Sequence, residues 1–232
     1  SEQLWAPTVG RFGNRWIMYF SADRRNPPQP RNAQCIGRAF ANHPAGPFVP
    51  EANPWHCGLG GVGGALDPQL FTDAQGRRWL LAAFGDTESP IHTMRLDANG
   101  NRVGNAVAIL RRRHAWEQHF IEQPAMMYDR SRGNYLLAYS EGDWRTAGYS
   151  TGLARCATPT GPCTSDPRGP WIASSAGRSG PGALSFFTDT AGRQRAIFAS
   201  HVAGGETTVG GRASTVMRVV TQPSVALQRV TK

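Results

Sequence analysis

Two carboxylates stand out by their surroundings. Glu122 lies in "FIEQPAMMY", between an apolar pair and a proline, and Asp67 lies in "ALDPQLF", directly before a proline. Charged residues rarely occupy such places without a role. A protonated acid working with a second carboxylate is the equipment of general acid–base chemistry on a glycosidic bond. Each residue also has a plainer reading. Glu122 could brace a strand turn, and Asp67 could start an ordinary turn, which Asp-Pro does well.

The elements around them read as strands. Apolar residues alternate or cluster in short runs, closely punctuated by Gly, Pro, Asn and Asp, and helix signals are nearly absent. "RWIMYFSA", "RWLLAAFG", "NYLLAYSE" and "QRAIFASH" are strands, each preceded by a turn: "RFGN", "DAQG", "RSRG" and "DTAG". Such turns favour Gly, Asn and Asp because they need positive φ.

The pattern repeats. Units beginning at Leu4, Ala65, Phe120 and Gly180 each hold a first strand, a turn, a second strand rich in aromatics and a third strand. The third strands are "CIGRAFA", "IHTMRL", "TGLARCA" and "TVMRVV". All-β units repeating at about 55 to 60 residues predict propeller blades. Four blades are expected, at about residues 4–60, 61–116, 117–176 and 177–222 of one domain spanning 1–232. Near the start of each first strand stands a distinctive residue: Trp5, Asp67, Glu122 and Pro181. Such starts converge on a propeller axis. The repeat therefore predicts that Asp67 and Glu122 hold equivalent positions and face one pocket.

Composition narrows the alternatives. The net charge is +9, yet Lys232 is the only lysine and the arginines are scattered. No groove-reading or RNA-binding motif accompanies the charge, so a nucleic-acid partner is not expected. No stretch approaches the roughly 20 apolar residues of a membrane span. The chain opens on Ser1, which predicts either a removed leader or a chain incomplete at its start. Cys35, Cys57, Cys156 and Cys163 do not form the paired CxxC spacing of a zinc ribbon. An even count fits two local disulfides, Cys35 with Cys57 and Cys156 with Cys163, and an oxidising compartment. His43, His56, His92, His114 and His119 show no ligand spacing.

Five stretches in order carry a resemblance. They are "WAP" at 5–7, "IGRAFANHPAGPF" at 36–48, "LDPQLFTDAQGRRWLL" at 66–81, "IEQP" at 121–124 and "GPG" at 180–182. At this spacing they resemble glycoside hydrolase family 43, from about residue 4 to about residue 220. "TGLARCATPTGPC" is similar to the secreted actinobacterial branch of that family.

The resemblance implies an all-β, five-bladed β-propeller and an inverting enzyme of α-L-arabinofuranosidase, β-xylosidase or endo-arabinanase type. Its substrate would be a polysaccharide or oligosaccharide, and the protein a secreted or cell-wall-associated monomer. Residue by residue, Glu122 matches the general acid and Asp67 the carboxylate that tunes it. Arg212, in "GGRAS", resembles the last-blade arginine near the carboxylates. Trp5 and Trp144 resemble pocket aromatics, and His201 is expected to line the site. The family's base is an aspartate on a first blade, and this chain begins at the "WAP" blade, so the first blade and its base are expected to lie outside residues 1–232. Asp73 and Asp189 sit in turns and Asp86 at a far strand end, so none fits the base. Ala183 stands where many members have a histidine near an axial metal or water, so no cofactor is expected and a central calcium is disfavoured. The alternative is a carbohydrate-binding propeller that lacks the base. An invertase-like retaining propeller is a weaker third reading. Substrate choice is expected to depend on loops such as residues 23–34.

Overall fold

A computed structural model describes residues 3–23, 34–58, 64–85, 90–201, 212–221 and 225–229. Asp86, Lys232 and most of the 23–34 loop lie outside these residues. The chain divides into two compact units, Ser1–Arg112 and Arg113–Lys232.

Unit 1 holds two four-stranded antiparallel sheets. The first takes β1 (Leu4–Phe12), β2 (Arg15–Asp23), β3 (Gln34–Ala41) and β4 (Val49–Pro50). The second takes β5 (Ala65–Thr72), β6 (Arg78–Phe84), β7 (Ile91–Leu96) and β8 (Arg102–Leu110). Unit 2 repeats the plan with β9 (Ile121–Asp129), β10 (Asn134–Glu141), β11 (Ser150–Cys156) and β12 (Cys163–Ser165). Its second sheet takes β13 (Ser179–Thr188), β14 (Gln194–His201), β15 (Arg212–Val220) and β16 (Ala226–Arg229). Each sheet is a meander in chain order, the blade unit that the repeat predicts.

The sequence reading counted three strands per unit, and the sheets have four. The missed strands β4 and β12 are too short to show a period, and β8 is exposed along most of its length. A solvated edge strand has no buried face to impose the two-residue alternation. The fourth sheet also continues to Arg229, past the expected limit at 222.

The strands form for visible reasons. In β2 the buried positions alternate, with Ile17, Tyr19 and Ser21 fully buried. β6 and β10 are buried on both faces, which explains their continuous apolar runs "WLLAAF" and "YLLAY". In unit 1, Phe12, Ile17, Tyr19, Leu80, Phe84 and Met94 pack together. In unit 2, Met127, Leu136, Leu184 and Phe198 belong to a second core. The turns are tied by aspartates. Asp73 accepts the backbone N–H groups of Gln75 and Arg77 and the indole N–H of Trp79. Asp189 accepts from Ala191, Arg193 and Arg195. Both turn aspartates are thus occupied locally, as their position in the sequence suggests.

Both disulfides pair as expected, Cys35 with Cys57 and Cys156 with Cys163. They fit an extracellular protein. Among the described residues no helix is long and apolar enough to cross a membrane.

Candidate active site

The first strand of each sheet contains the same irregularity. One non-glycine residue takes a left-handed backbone: Ala6 (φ 47°), Asp67 (56°), Gln123 (48°) and Ala183 (54°). At each, the pairing register shifts. Bulges of this kind re-aim side chains, and strained backbone is concentrated at functional sites. Three of the four residues precede a proline, at Pro7, Pro68 and Pro124.

This marker corrects the expected equivalence. Asp67 corresponds to Gln123, whereas Glu122 corresponds to Leu66, Trp5 and Gly182. The two carboxylates are offset by one residue. The extra residue of a bulge cannot be registered by matching one visible carboxylate against another. Pro181, the fourth distinctive residue, lies two positions before the marker Ala183.

In unit 1, Trp5 is half-buried on β1 and pairs with Ser21 of β2. The Ser21 hydroxyl accepts the N–H of Asp67 at 2.8 Å. Ser21 therefore brings the Trp5 end of β1 and the bulge of β5 together. Asp67 is almost fully buried.

In unit 2 the same frame recurs. Ser140 of β10 pairs with Glu122, and its hydroxyl accepts the N–H of Ala183 at 2.8 Å. The Glu122 carboxyl oxygen Oε1 accepts a 2.7 Å hydrogen bond from the Tyr149 hydroxyl. Burial raises the Glu122 carboxyl above its ordinary value. The Tyr149 hydrogen bond opposes this, Asp143 adds to it and Arg212 opposes it.

Arg212 lies with its guanidinium 5.3 Å from the Tyr149 ring centre. Its N–H groups donate to the carbonyls of Trp144, Gly180 and Ala199 at 3.0, 2.7 and 2.8 Å. His201, buried at the end of β14, approaches the same Trp144 carbonyl at 2.9 Å through Nε2. A carbonyl only accepts, so Nε2 carries the hydrogen. His201 Nδ1 is buried with no partner among the described residues. The Trp144 side chain is 54% exposed, so Trp144 joins the cluster through its backbone and offers its indole to solvent.

Unit 2 thus gathers Glu122, Arg212, His201 and the Trp144 backbone, and unit 1 gathers Trp5 and Asp67. Tyr149 was missed in the sequence, where "AGYS" carries no periodic signal. Ser21 and Ser140 had a signal, an aromatic-Ser pair near the end of both second strands, "YFSA" and "AYSE". Tyr149 also helps line a cavity of about 550 Å³ with Trp116, His119, Glu141 and Asp143. A larger groove of about 1020 Å³ runs along β12 and includes none of the candidate residues. Among the described residues no three His, Cys, Asp or Glu side chains group as metal ligands.

Comparison with known proteins places this arrangement. Solved structures similar to the chain include a thermostable family-43 glycoside hydrolase, at TM-score 0.81 and 22% identity over 99% of this chain and 77% of that one. An endo-1,4-beta-xylanase from Bacteroides thetaiotaomicron aligns at TM-score 0.79 and 21% identity, over 99% and 76% of the two chains. An alpha-L-arabinofuranosidase from Lactobacillus brevis aligns at 0.78 and 17%, over 99% and 78%. The shared fold is an all-β propeller, of which four blades are recognisable here; the fifth blade that the resemblance implies is not among the described residues. No curated protein matches the chain. The sequence description of glycosyl hydrolases family 43 matches residues 1–223. Four meander sheets, a bulge in every first strand and a partly buried glutamate at one of them accompany that match, and the chain belongs to glycosyl hydrolase family 43.

Proposed function

We propose that the protein is a secreted inverting glycosidase that cleaves arabinofuranosyl or xylosyl linkages in polysaccharide, with Glu122 as general acid. The observation that carries this reading is the Glu122 carboxyl, raised by burial and fixed at 2.7 Å by a phenol. An acid that must stay protonated until it reaches the leaving oxygen needs both features. The family resemblance assigns Asp67 to tuning that acid. Trp5 and the exposed Trp144 offer aromatic faces to a sugar ring. Arg212 and His201 act through the Trp144 backbone that they hold, and Arg212 also through its charge. The attacking water requires a base at roughly 6.5–9.5 Å from the acid. We assign that base to an aspartate on a further blade, since Asp73 and Asp189 are committed to their turns.

The test is hydrolysis of aryl arabinofuranosides and xylosides by the full-length protein and by Glu122→Gln. Loss of about 10²–10⁴-fold in kcat is expected, with product of inverted configuration by NMR. Unchanged kcat in Glu122→Gln removes the assignment. Sugar binding without any hydrolysis in the parent protein supports the binding-propeller alternative.

A further inference from the structure

The reading of Glu122 as general acid leaves open which of its two oxygens delivers the proton, and this inference rests on that reading. We propose that Tyr149 is a positioning residue that commits Glu122 Oε2 to proton delivery. The Tyr149 hydroxyl donates to Oε1 at 2.7 Å. The carbonyl oxygen of a carboxylic acid accepts a hydrogen bond better than its hydroxyl oxygen, so in the acid form the Tyr149 donation to Oε1 favours the proton on Oε2.

The phenol is held in place from several sides. Tyr149 is almost fully buried. Its ring lies against Gly182, where an added Cβ would fall 2.2 Å from a ring carbon. Arg212 sits 5.3 Å from the ring centre, itself anchored on three backbone carbonyls. The ring cannot swing without displacing β13 or Arg212. Within this unit the charged groups acting on Glu122 are Arg212 from β15 and Asp143 from the segment after β10, and His201 of β14 lies behind Arg212.

The chemistry follows from this geometry. The attacking water forms a bond to the anomeric carbon and gives its proton to the base, while the glycosidic C–O bond breaks with its electron pair on the leaving oxygen, which takes the Oε2 proton. Glu122 becomes a carboxylate while Tyr149 still donates to Oε1. A hydrogen bond to a developing anion is stronger than one to a neutral acid. The Tyr149 interaction therefore grows toward the transition state, which is the condition for raising kcat. In the resting enzyme the same donation favours the charged form and holds the acid's pKa down against burial. Removing it raises that pKa.

The experiment compares the full-length parent with Tyr149→Phe on a series of aryl arabinofuranosides and xylosides graded by leaving-group acidity. Poor leaving groups should lose about tenfold or more in kcat with little change in KM, because they depend on protonation. Dinitrophenolate, which departs without a proton, should be nearly unaffected. The alkaline limb of the pH profile should move up by about one unit or less. Replacing Tyr149 with 3-fluorotyrosine, a stronger donor of nearly the same shape, should move that limb down, and it serves if the Phe variant does not fold. An equal loss across all leaving groups, or a stationary limb in both variants, overturns the proposal. Glu122→Gln is run in parallel. If its loss is independent of the leaving group, the general-acid reading itself fails. If its loss is leaving-group dependent while that of Tyr149→Phe is not, only the role of Tyr149 fails.

Discussion

The first sheets of the two units are built on one frame and carry different side chains at one position. In both, a serine of the second strand accepts the N–H of the bulge residue in the next sheet at 2.8 Å, Ser21 from Asp67 and Ser140 from Ala183. In both, the neighbouring aromatic lies over a glycine of the third strand, with Phe20 over Gly37 and Tyr139 over Gly152. An added Cβ at these glycines would meet the rings at 2.4 and 2.3 Å. Each sheet also has a cis Gly-Pro bond, at Gly46-Pro47 and Gly161-Pro162. Each is closed by a short backbone bridge, Ile36 with His56 and Thr151 with Ile172. Opposite the serine, however, unit 1 places Trp5 and unit 2 places Glu122. The frame supplies positions, and one side chain per position decides whether a blade presents an indole or a carboxyl group there.

The largest effect on this comparison should come from the shared serines. Ser21→Ala strands a buried backbone N–H and Ser140→Ala a part-buried one, each at a cost of about 1–3 kcal/mol. Urea unfolding of both variants should show similar losses. A large loss in one and none in the other would break the equivalence of the two frames.

A smaller effect should separate the sheets by pH. At the bridge, unit 1 has His56 where unit 2 has Ile172. Burial, with Arg102 and His92 nearby, lowers the His56 pKa to about 4. The unfolded chain takes up its proton near the ordinary value of 6.5. Between these values the unfolded state binds more protons, so stability falls as pH drops through this window and levels off below about 4. His56→Ile should flatten that part of the stability–pH curve. A curve of unchanged slope would show that other groups govern the acid response.

The smallest effect should come from the bulge marker. A left-handed backbone costs a residue with a Cβ about 1–2 kcal/mol relative to glycine. Ala6→Gly and Ala183→Gly should therefore each stabilise by about 1 kcal/mol or less, once the extra freedom of the unfolded glycine is offset. A thermal melt distinguishes this from destabilisation, which would mean that the methyl group has a packing role.

Much of this was legible in the sequence. Strands with a buried face alternate or run apolar because the pleat has a two-residue period, so "RWIMYFSA" and "NYLLAYSE" announced β2 and β10. Turns announced themselves through Asp and Gly, and the disulfides through cysteines near in sequence. Glu122 stood out because a carboxylate in an apolar run is costly without a purpose. Tertiary structure decided the rest. The one-residue offset between Asp67 and Glu122 arises from bulges, and a bulge exists only relative to a partner strand. The bonds from Tyr149 to Glu122 and from Asp67 to Ser21 join groups 27 and 46 residues apart in the chain, and no local spacing encodes them. The short outer strands β4 and β12 pair because a neighbour offers free backbone groups, not because their own residues demand it.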